Sequence, residues 1–525
     1  MATHNEKLAE SLLVLKGIQD QGVRVIKASQ HKALTRVHRE RLMAAGFLKL
    51  TIAGWYLSAR PDEQLGDSSA WYANMEAFVA AYAKSRFGDA WQLPADQSLL
   101  FQSGETTLSR QIQIHAPKAS NDVIQLPHAC SLFLYRVKTD SMTTSAVLNS
   151  NGLRLLPLEE CLFRVPASFY ELKPQAAHIA LRRADINALS RLLLKDGSTT
   201  IAARLVGALQ AAGREDDARL LQDTMTAAGH ALRVTNPFLA PLRSMEGART
   251  ESPYVQRIRL MWADMRESVV AAFVAVPNKA PQDIDVFMSD VESRYAADAY
   301  NSLSIEGYRV TPELIEKVRS GLWAPDVNAA DREMKNAMAA KGYYEAYKSV
   351  TALIKSALQS RGSPGELLRR NLAQWHLALF SPGVTAGIVT AVDLAGYRNR
   401  PVFIKDASHV PPPSDALLDC MDLLMELLAK EESAAVRAVL GHFIFVFIHP
   451  YIDGNGRLGR FILNFMLTTG GYVWTVVPVE QRNEYMAALA QASSDRNIGP
   501  FAQMLAQLAT EQTGADTTRI RRSIN

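Results

Sequence analysis

The most constraining feature of this chain is a pair of strongly apolar segments separated by a short loop. Residues 434–448, AAVRAVLGHFIFVFI, are apolar almost throughout, which predicts a helix that is buried on most of its surface. A second helical pattern begins near residue 457 and stops at the glycine pair 470–471. The sequence HPYIDGNGRLGR, residues 449–460, is therefore predicted to form a loop that leads into the N-terminus of the second helix.

This loop contains the residue types that bind phosphate. Backbone N–H groups in the first turn of a helix have no partner within the helix, and the positive end of the helix dipole lies there. Gly454 and Gly456 allow the backbone to approach an anion closely. Arg457 and Arg460 project from one face of the helix and favour contacts to successive phosphates. Each residue alone is more typical of a capped helix end with surface arginines and a packed histidine, but the ordered set favours phosphate binding.

Two further side chains in the loop add chemistry to this binding site. Asp453 offers a carboxylate oxygen for Mg²⁺, or for Mn²⁺, bridging the phosphates. His449 accepts a proton near neutral pH, which is what an attacking hydroxyl group requires. The loop therefore predicts a transfer reaction at a phosphorus atom.

The ordered set closely resembles the motif of Fic-domain proteins, HxFx(D/E)GNGRxxR, with Tyr451 in place of the usual phenylalanine. The resemblance implies a mainly α Fic fold, a helical bundle with a β-hairpin flap. It also implies transfer of AMP from ATP to a serine, threonine or tyrosine hydroxyl of a target protein or of the chain itself. By the same resemblance His449 is the general base and Asp453 holds the metal. The residues implied to bind the phosphates of ATP are Gly454, Asn455, Gly456, Arg457 and Arg460.

Two flanking segments extend the resemblance. Residues 396–413, from GYRNRPVFI to HVPPP, are similar to the flap with which Fic proteins pair with an extended segment of their target. The docking residues implied are Tyr397, Arg398, Val402, Ile404 and His409. Residues 482–485, RNEY, resemble the family segment near the adenine, which implies contacts from Asn483 and Tyr485. Ordinary helix surface is the alternative for these two residues.

A third segment resembles a regulatory element of the family. Residues 302–307, SLSIEG, fit the inhibitory pattern (S/T)xxxE(G/N). The resemblance implies that Ser302, Glu306 and Gly307 belong to an inhibitory helix near residues 293–307. Glu306 would then reach Arg460 and compete with the γ-phosphate of ATP for its charge. A solvated helix end is the alternative.

The first 62 residues predict a winged helix-turn-helix. Apolar spacing from Leu8 to Ile18 predicts a helix, residues 23–29 a short second helix, and residues 34–45 a third. Residues 47–50 and 55–57 predict two strands around Gly54. Residues 33–57 resemble the winged helix of AbiEi-type antitoxin regulators. Residues 24–49 contain seven lysines or arginines and one acidic residue, and the candidate DNA contacts on this basic stretch are Lys32, Arg36, Arg39 and Arg41. A solvated basic face is the alternative.

The rest of the chain divides into four further segments. Residues 63–175 are predicted to form an α+β middle domain, similar to the one that follows the winged helix in those regulators, with a helix at 71–84 and strands within 101–117 and 131–137. Residues 176–235 predict a helical connector, which a linker joins to the Fic domain at 253–511. Residues 512–525 predict a disordered tail. The expected fold class is therefore multidomain, with the mainly α Fic fold in the C-terminal half.

Composition limits the cellular setting. Cys130, Cys161 and Cys420 lie far apart, which argues against a disulfide framework or a cysteine-based zinc site and fits a reducing cytoplasm. The sequence has no signal-peptide pattern and no uncharged apolar run of about 18 residues, so we expect no membrane partner. The net charge of +4 is too small to indicate a nucleic-acid partner by itself. Homodimer formation stays open.

Several other functions stay open at this level. UMP transfer fits the same motif because the choice of base lies outside it, and removal of AMP from a modified protein would use Glu306 to position water. A different class is a DNA-binding regulator whose Fic domain senses nucleotide, with residues 24–57 as its working part. A third is a scaffold whose middle domain recruits partners.

Overall fold

The computed structural model describes residues 3–59, 70–107, 109–242, 250–322, 334–360, 362–386, 396–399, 401–402, 404, 407 and 409–513. The described chain is mainly helical and divides into two compact units that meet in sequence at Arg257 and Ile258. No described helix is both long enough and apolar enough to cross a membrane. The predicted tail beyond residue 513 lies outside the described residues.

The N-terminal elements form a small three-stranded unit. Antiparallel pairing gives the strand order β1-β3-β2, and the apolar sides of the two helices pack with the sheet around Leu15, Ile26 and Leu42. The elements are α1 (His4–Gln19), β1 (Val25–Lys27), α2 (Arg36–Ala44), β2 (Leu48–Ile52) and β3 (Trp55–Ser58).

One prediction in this unit is wrong. The expected short helix at residues 23–29 is strand β1, followed by a single 3₁₀ turn at Ala28–Gln30. Val25 pairs with Leu57 and Ile26 lies in the core, so β3 provides backbone partners that local sequence does not reveal. The two strands predicted around Gly54 are confirmed as β2 and β3.

The next elements combine helices with a mixed sheet. The parallel pair β4 and β6 and the antiparallel pair β5 and β6 give the order β4-β6-β5. The predicted strand start at Phe101 is wrong, because residues 95–102 are a helix whose Leu99 is fully buried in a core with later helices. The elements are α3 (Ala70–Phe87), α4 (Ala95–Gln102), β4 (Gln111–Ala116), β5 (Val123–Leu126), β6 (Cys130–Arg136), β7 (Val147–Leu148) and β8 (Arg154–Leu155).

Six short helices complete the first unit. Asp185 and Ser198 cap the N-termini of two of them, and Gly197, at φ +74°, ends the helix that Asp185 begins. Their apolar residues share one core. Residues 158–172 belong to this core, so the helical region begins before the connector predicted at 176–235. The elements are α5 (Leu158–Arg164), α6 (Ala167–Leu172), α7 (Pro174–Arg183), α8 (Ile186–Asp196), α9 (Thr199–Ala211) and α10 (Glu215–Ala227).

The helices from residue 253 onward include an almost completely buried helix, α18. It packs against α17, α19, α20 and α21, and nearly all of its residues are buried, as its apolar sequence predicts. The elements are α11 (Pro253–Phe273), α12 (Ile284–Ser293), α13 (Tyr295–Ile305), α14 (Pro312–Arg319), α15 (Met334–Ser360), α16 (Pro364–Thr385), α17 (Leu417–Lys430), α18 (Ala434–Ile448), α19 (Asn455–Thr469), α20 (Arg482–Ser494) and α21 (Gly499–Gln512).

Candidate active site

The predicted loop joins α18 to α19, as the sequence indicates. Helix α18 ends at Ile448 because His449 adopts the left-handed conformation, with φ +52°, and Pro450 follows it. Helix α19 begins at Asn455 after Gly454, whose φ is +87°. A Cβ atom on Gly454 would also lie 2.7 Å from the ring of Phe380. Both conformation and space therefore require glycine at this position.

A carboxylate lies over the N-terminus of α19. No side chain caps this helix, so its first backbone N–H groups are available to an anion. Oε1 of Glu306 lies so close to Gly456 that a Cβ atom there would collide with it. Glu306 therefore occupies the anion-binding position that the sequence assigned to phosphate.

The same carboxylate pairs with the second arginine of the loop sequence. Nη2 of Arg460 donates to Oε1 of Glu306 at 2.6 Å and to the carbonyl of Ser302 at 3.0 Å, while Nε donates to Oγ of Ser302 at 2.8 Å. Arg460 is buried. Glu306 is the C-cap of α13, and Gly307, at φ +87°, ends the helix. The contact expected between Glu306 and Arg460 is present.

Arg457 lies between two aromatic rings. Its guanidinium carbon is 5.1 Å from the ring centre of Tyr308 and 5.0 Å from that of Phe380, and Nη2 is 3.4 Å from Oδ1 of Asp453. Tyr308 directly follows Gly307, and its N–H donates to the carbonyl of Leu303 at 3.1 Å. Neither ring was predicted from the sequence: Tyr308 is adjacent to a predicted site residue, whereas nothing in the sequence around Phe380 indicates a role.

His449 is buried, and a nitrogen of its ring is available to accept a proton. Neither of its ring nitrogens has a hydrogen-bond partner within the part of the chain that the structure describes. Burial and, to a smaller extent, the positive charge of Arg398 lower the pKa of His449 to about 3. The imidazole is therefore neutral at physiological pH and has a lone pair free to accept a proton.

A match to a protein-family model falls on these helices. Residues 368–467 match the Fic/DOC family, a range that contains the loop 449–460 but not Glu306 or Tyr485. The C-terminal region of this chain contains a Fic domain. The loop from His449 to Arg460 lies within this match and contains the Fic motif.

Curated proteins with the same domain are named protein adenylyltransferase Fic. The one from Drosophila virilis is 27% identical over 223 residues, which are 42% of this chain and 42% of the relative. The one from Drosophila yakuba is 34% identical over 131 residues, 24% of this chain and 26% of the relative. The chain therefore matches less than half the length of these relatives.

Solved structures of Fic proteins are also similar to this chain. A Fic-1 structure from C. elegans (residues 134–508 of that protein) has a TM-score of 0.36 and 16% identity, covering 70% of this chain and 91% of the other. A Fic domain containing signaling protein from Bacteroides thetaiotaomicron has a TM-score of 0.34 and 17% identity, covering 52% of this chain and 98% of the other.

One residue of the Fic motif binds the loop itself. Nδ2 of Asn455 donates to the carbonyl of Tyr451 at 2.9 Å, and Oδ1 accepts from the N–H of Tyr451 at 3.0 Å. His376 stacks on the Tyr451 ring at 3.9 Å between ring centres. Both polar atoms of the Asn455 side chain therefore stabilise the loop, and a phosphate contact from this residue stays a prediction, because Nδ2 has a second N–H donor.

The Fic motif has one carboxylate suited to a divalent cation. The Asp453 side chain is half-exposed, and its Oδ1 accepts from the N–H of Gly454 at 2.5 Å, next to the phosphate position. No cluster of three or more histidine, cysteine, aspartate or glutamate residues occurs among the described residues. One carboxylate completed by substrate phosphates is a normal Mg²⁺ arrangement, so the residues present fit this ion.

The predicted docking flap lies partly outside the described residues, which include Tyr397, Arg398, Val402, Ile404 and His409. Arg398, Val402 and His409 are buried, so their side chains do not face a docked segment. The predicted docking role rested on backbone pairing, which the burial of these side chains does not test, so it stays a prediction for them. Docking stays a prediction for Tyr397 and Ile404, which are partly exposed.

The two residues predicted to lie near adenine differ in exposure. Tyr485 is buried, and its hydroxyl lies 2.7 Å from Nε2 of His442. This burial contradicts a contact between the Tyr485 ring and adenine in the present structure. Asn483 lies on the exposed side of α20, and its contact stays a prediction.

The basic residues of the N-terminal unit are not equally exposed. Lys32 and Arg36 are exposed, and Arg36 pairs with Glu40 at 2.7 Å. Arg39 and Arg41 are partly buried and donate to the carbonyls of Leu34 and Lys7, respectively. Only Lys32 and Arg36 of the four predicted DNA contacts are therefore fully presented to solvent.

Buried histidines make the Fic domain sensitive to acid. Burial lowers the pKa of His376 to about 4 and those of His442 and His449 to about 3. Below about pH 6.5 the unfolded chain binds protons on these rings before the folded one does, which costs about 1.4 kcal/mol of stability per pH unit and histidine. Asp298 acts oppositely, because burial raises its pKa to about 6 and protonation below that pH favours the folded state.

We therefore expect the unfolding temperature of the Fic domain to fall as the pH is lowered from 7 to 5. His442→Gln removes one titrating ring, so this variant should show a smaller fall than wild type, whatever its stability at pH 7. Differential scanning calorimetry at both pH values measures the difference. Equal falls for the two proteins would contradict the assignment of His442.

Proposed function

We propose that this protein transfers AMP from ATP to a serine, threonine or tyrosine hydroxyl of a target protein or of itself. The observation that carries the proposal is the buried His449, whose ring nitrogens have no hydrogen-bond partner among the described residues, in the same loop as an anion-binding helix N-terminus. The names of the curated relatives support the same reaction class. Three free, buried cysteines support a cytoplasmic site of action.

The chemistry follows from the residues of the Fic motif. His449 takes the proton of the target hydroxyl as its oxygen forms a bond to the α-phosphorus. The bond from that phosphorus to the oxygen bridging the α- and β-phosphates breaks, and pyrophosphate leaves. The N–H groups at the start of α19 and the guanidinium groups of Arg457 and Arg460 hold the phosphate charge. Asp453 would hold Mg²⁺ or Mn²⁺, which neutralises charge on the leaving pyrophosphate.

The proposal includes inhibition by the protein's own α13. The Glu306 carboxylate lies where phosphate charge would lie, and it pairs with Arg460 at 2.6 Å. ATP therefore competes with a side chain that is always present at the site. Productive binding requires Glu306 to move away from Gly456.

The test compares nucleotides labelled at different positions. Full-length wild type and Glu306→Gly are incubated with Mg²⁺ and with ATP labelled at the α- or γ-phosphate, or UTP labelled at the α-phosphate. We expect protein-bound label from α-labelled ATP alone, on the chain itself or on lysate proteins. Label from γ-labelled ATP or from UTP would replace AMP transfer with phosphate or UMP transfer. Release of label from pre-labelled protein by added unlabelled wild type would favour AMP removal, and no label from any nucleotide would contradict the proposal.

A second candidate is sequence-specific binding of DNA by the N-terminal unit. The strand order β1-β3-β2, with α2 directly before β2, is the arrangement that a winged helix requires, and α2 exposes Arg36 beside Lys32. Binding of the full-length protein to its own promoter, measured against salt, tests this function. A loss of affinity with Arg36→Ala supports it, and equal binding by both proteins contradicts it.

A further inference from the structure

The end of α18 has an unusual set of backbone contacts. The last carbonyls of a helix have no partners within the helix. Here four consecutive carbonyls, from Phe447 to Pro450, accept hydrogen bonds from two residues of the described chain, Arg398 and His409. His409 Nε2 bonds to Phe447 at 2.7 Å, and Arg398 bonds to the carbonyls of the next three residues.

Arg398 is the centre of this arrangement. Its Nε donates to the carbonyl of His449 at 2.8 Å, Nη2 donates to that of Ile448 at 3.3 Å, and its backbone N–H donates to that of Pro450 at 2.8 Å. Nη2 also donates to the carbonyl of Pro412 at 2.5 Å, which links the three consecutive prolines at residues 411–413 to the same helix end. A buried guanidinium thus has its donors aimed at backbone carbonyls around His449.

The conformation of His449 depends on such support. A residue other than glycine with φ +52° is in a sparsely populated conformation that costs of order 1 kcal/mol or more and persists only where neighbours hold it. The His449 ring has no hydrogen bond of its own among the described residues. Arg398 bonds to the carbonyls of Ile448, His449 and Pro450, so it holds the backbone from which this ring projects.

We propose that Arg398 is a positioning residue, which holds the backbone of His449 so that its ring meets the target hydroxyl, rather than a residue that binds the target with its side chain. The inference rests on the proposed function for the identity of the reaction. His409 has the same role at Phe447, on whose ring it also stacks, with 4.1 Å between ring centres.

The test uses Arg398→Lys in the Glu306→Gly background. An ammonium group has no planar fork and cannot reproduce the set of bonds to Ile448, His449 and Pro412. We expect the self-labelling rate at saturating ATP to fall about 100-fold, since a misplacement of roughly 1 Å has that effect. The ATP concentration giving half-maximal rate should change less than about twofold, because the bonds of Arg398 described above lie at the end of α18 and at Pro412, away from the start of α19.

A matched control lies at the other end of the same helix. Buried Arg437 donates to the carbonyls of Glu431 and Glu432 at 2.6 and 2.9 Å, and it lies far along α18 from His449. Arg437→Lys should leave the saturating rate within about threefold. Equal losses in both lysine variants would overturn the proposal in favour of general destabilisation.

Two further variants keep the outcome clear. In a His449→Asn background, Arg398→Lys should cause no additional loss, because its effect acts through His449; a further loss would overturn the proposal. If Arg398→Lys fails to fold, two variants of His409 test the proposal instead. His409→Gln keeps a donor for Phe447 and should retain activity, whereas His409→Leu should lose it. Equal activity in these two variants would overturn the inference.

A measurement without catalysis separates this inference from the proposed function. The ¹³Cε1–¹H signal of His449 is assigned by its absence in His449→Asn. It should move in Arg398→Lys and stay in place in Arg437→Lys. If Glu306→Gly transfers no AMP, the proposed function fails while this signal still reports on positioning. If AMP transfer occurs and neither rate nor signal responds to Arg398→Lys, the inference alone fails.

Discussion

Glu306→Gly should transfer AMP about 5- to 150-fold faster than wild type at the same ATP concentration, the range set by a coupling of ~1–3 kcal/mol. The substitution removes the carboxylate from Arg460 and from the start of α19, so both become available to phosphate. Glycine is tolerated here because Glu306 is the C-cap residue of α13, outside its helical hydrogen-bond pattern. Initial rates of incorporation from α-labelled ATP measure the difference.

Two glutamine variants separate charge from occupancy. Glu306→Gln keeps a side chain of the same size near Gly456 but removes its charge, so we expect a rate between those of wild type and Glu306→Gly. Glu316→Gln removes the carboxylate from an exposed pair with Arg319 on α14 and should leave the rate unchanged. A Glu306→Gly rate equal to wild type, with ATP bound by both proteins, would remove the inhibition proposal.

Stability should change in the opposite direction to activity. Without Glu306, buried Arg460 keeps its bonds to Ser302 but loses its carboxylate partner. Leaving one member of a buried ion pair alone is destabilising. Glu306→Gly should therefore unfold at a lower temperature than wild type, and ATP with Mg²⁺ should raise that temperature more in the variant than in wild type, because phosphate replaces the missing charge.

The parts of the Fic domain that sequence predicted are those encoded locally. The loop 449–456 lies between two helices whose periodicity is strong, and Gly454 is required there by its own φ and by Phe380. The pairing of Glu306 with Arg460 spans 154 positions of the chain. It was predicted only because the Fic resemblance linked the two segments, since neither composition nor spacing connects them.

The parts that sequence missed depend on which residues meet in three dimensions. The sequence around Arg398 and His409 is typical of an exposed turn. Their burial follows from hydrogen bonds to carbonyls at the end of α18 that have no partner within the helix. Strand β1 has three residues, too few for an alternation to be recognised, and pairs with β3 about 30 positions later. Tyr485 has the same chemistry whether it stacks on a base or bonds to His442, so its sequence could not distinguish the two.

His449→Asn should reduce the rate of AMP transfer about 10²- to 10⁴-fold in the Glu306→Gly background, the usual contribution of a general base. Asparagine is the appropriate replacement because it tolerates the left-handed conformation, so the backbone at φ +52° is kept while the base is lost. Alanine at this position adds backbone strain, and its effect would combine loss of the base with movement of the loop.

The ATP affinity of His449→Asn shows whether the lower rate comes from loss of the base alone. ATP affinity, measured by calorimetry, should stay within about threefold, because the start of α19, Arg457 and Arg460 are unchanged. The matched control is His442→Gln, which should transfer AMP at about the Glu306→Gly rate. This histidine is also buried on α18, but it bonds to Tyr485 and lies outside the loop. Transfer by His449→Asn at the Glu306→Gly rate would exclude His449 as the base. Another group would then have to take the proton, since the target hydroxyl must lose it as its oxygen bonds to phosphorus.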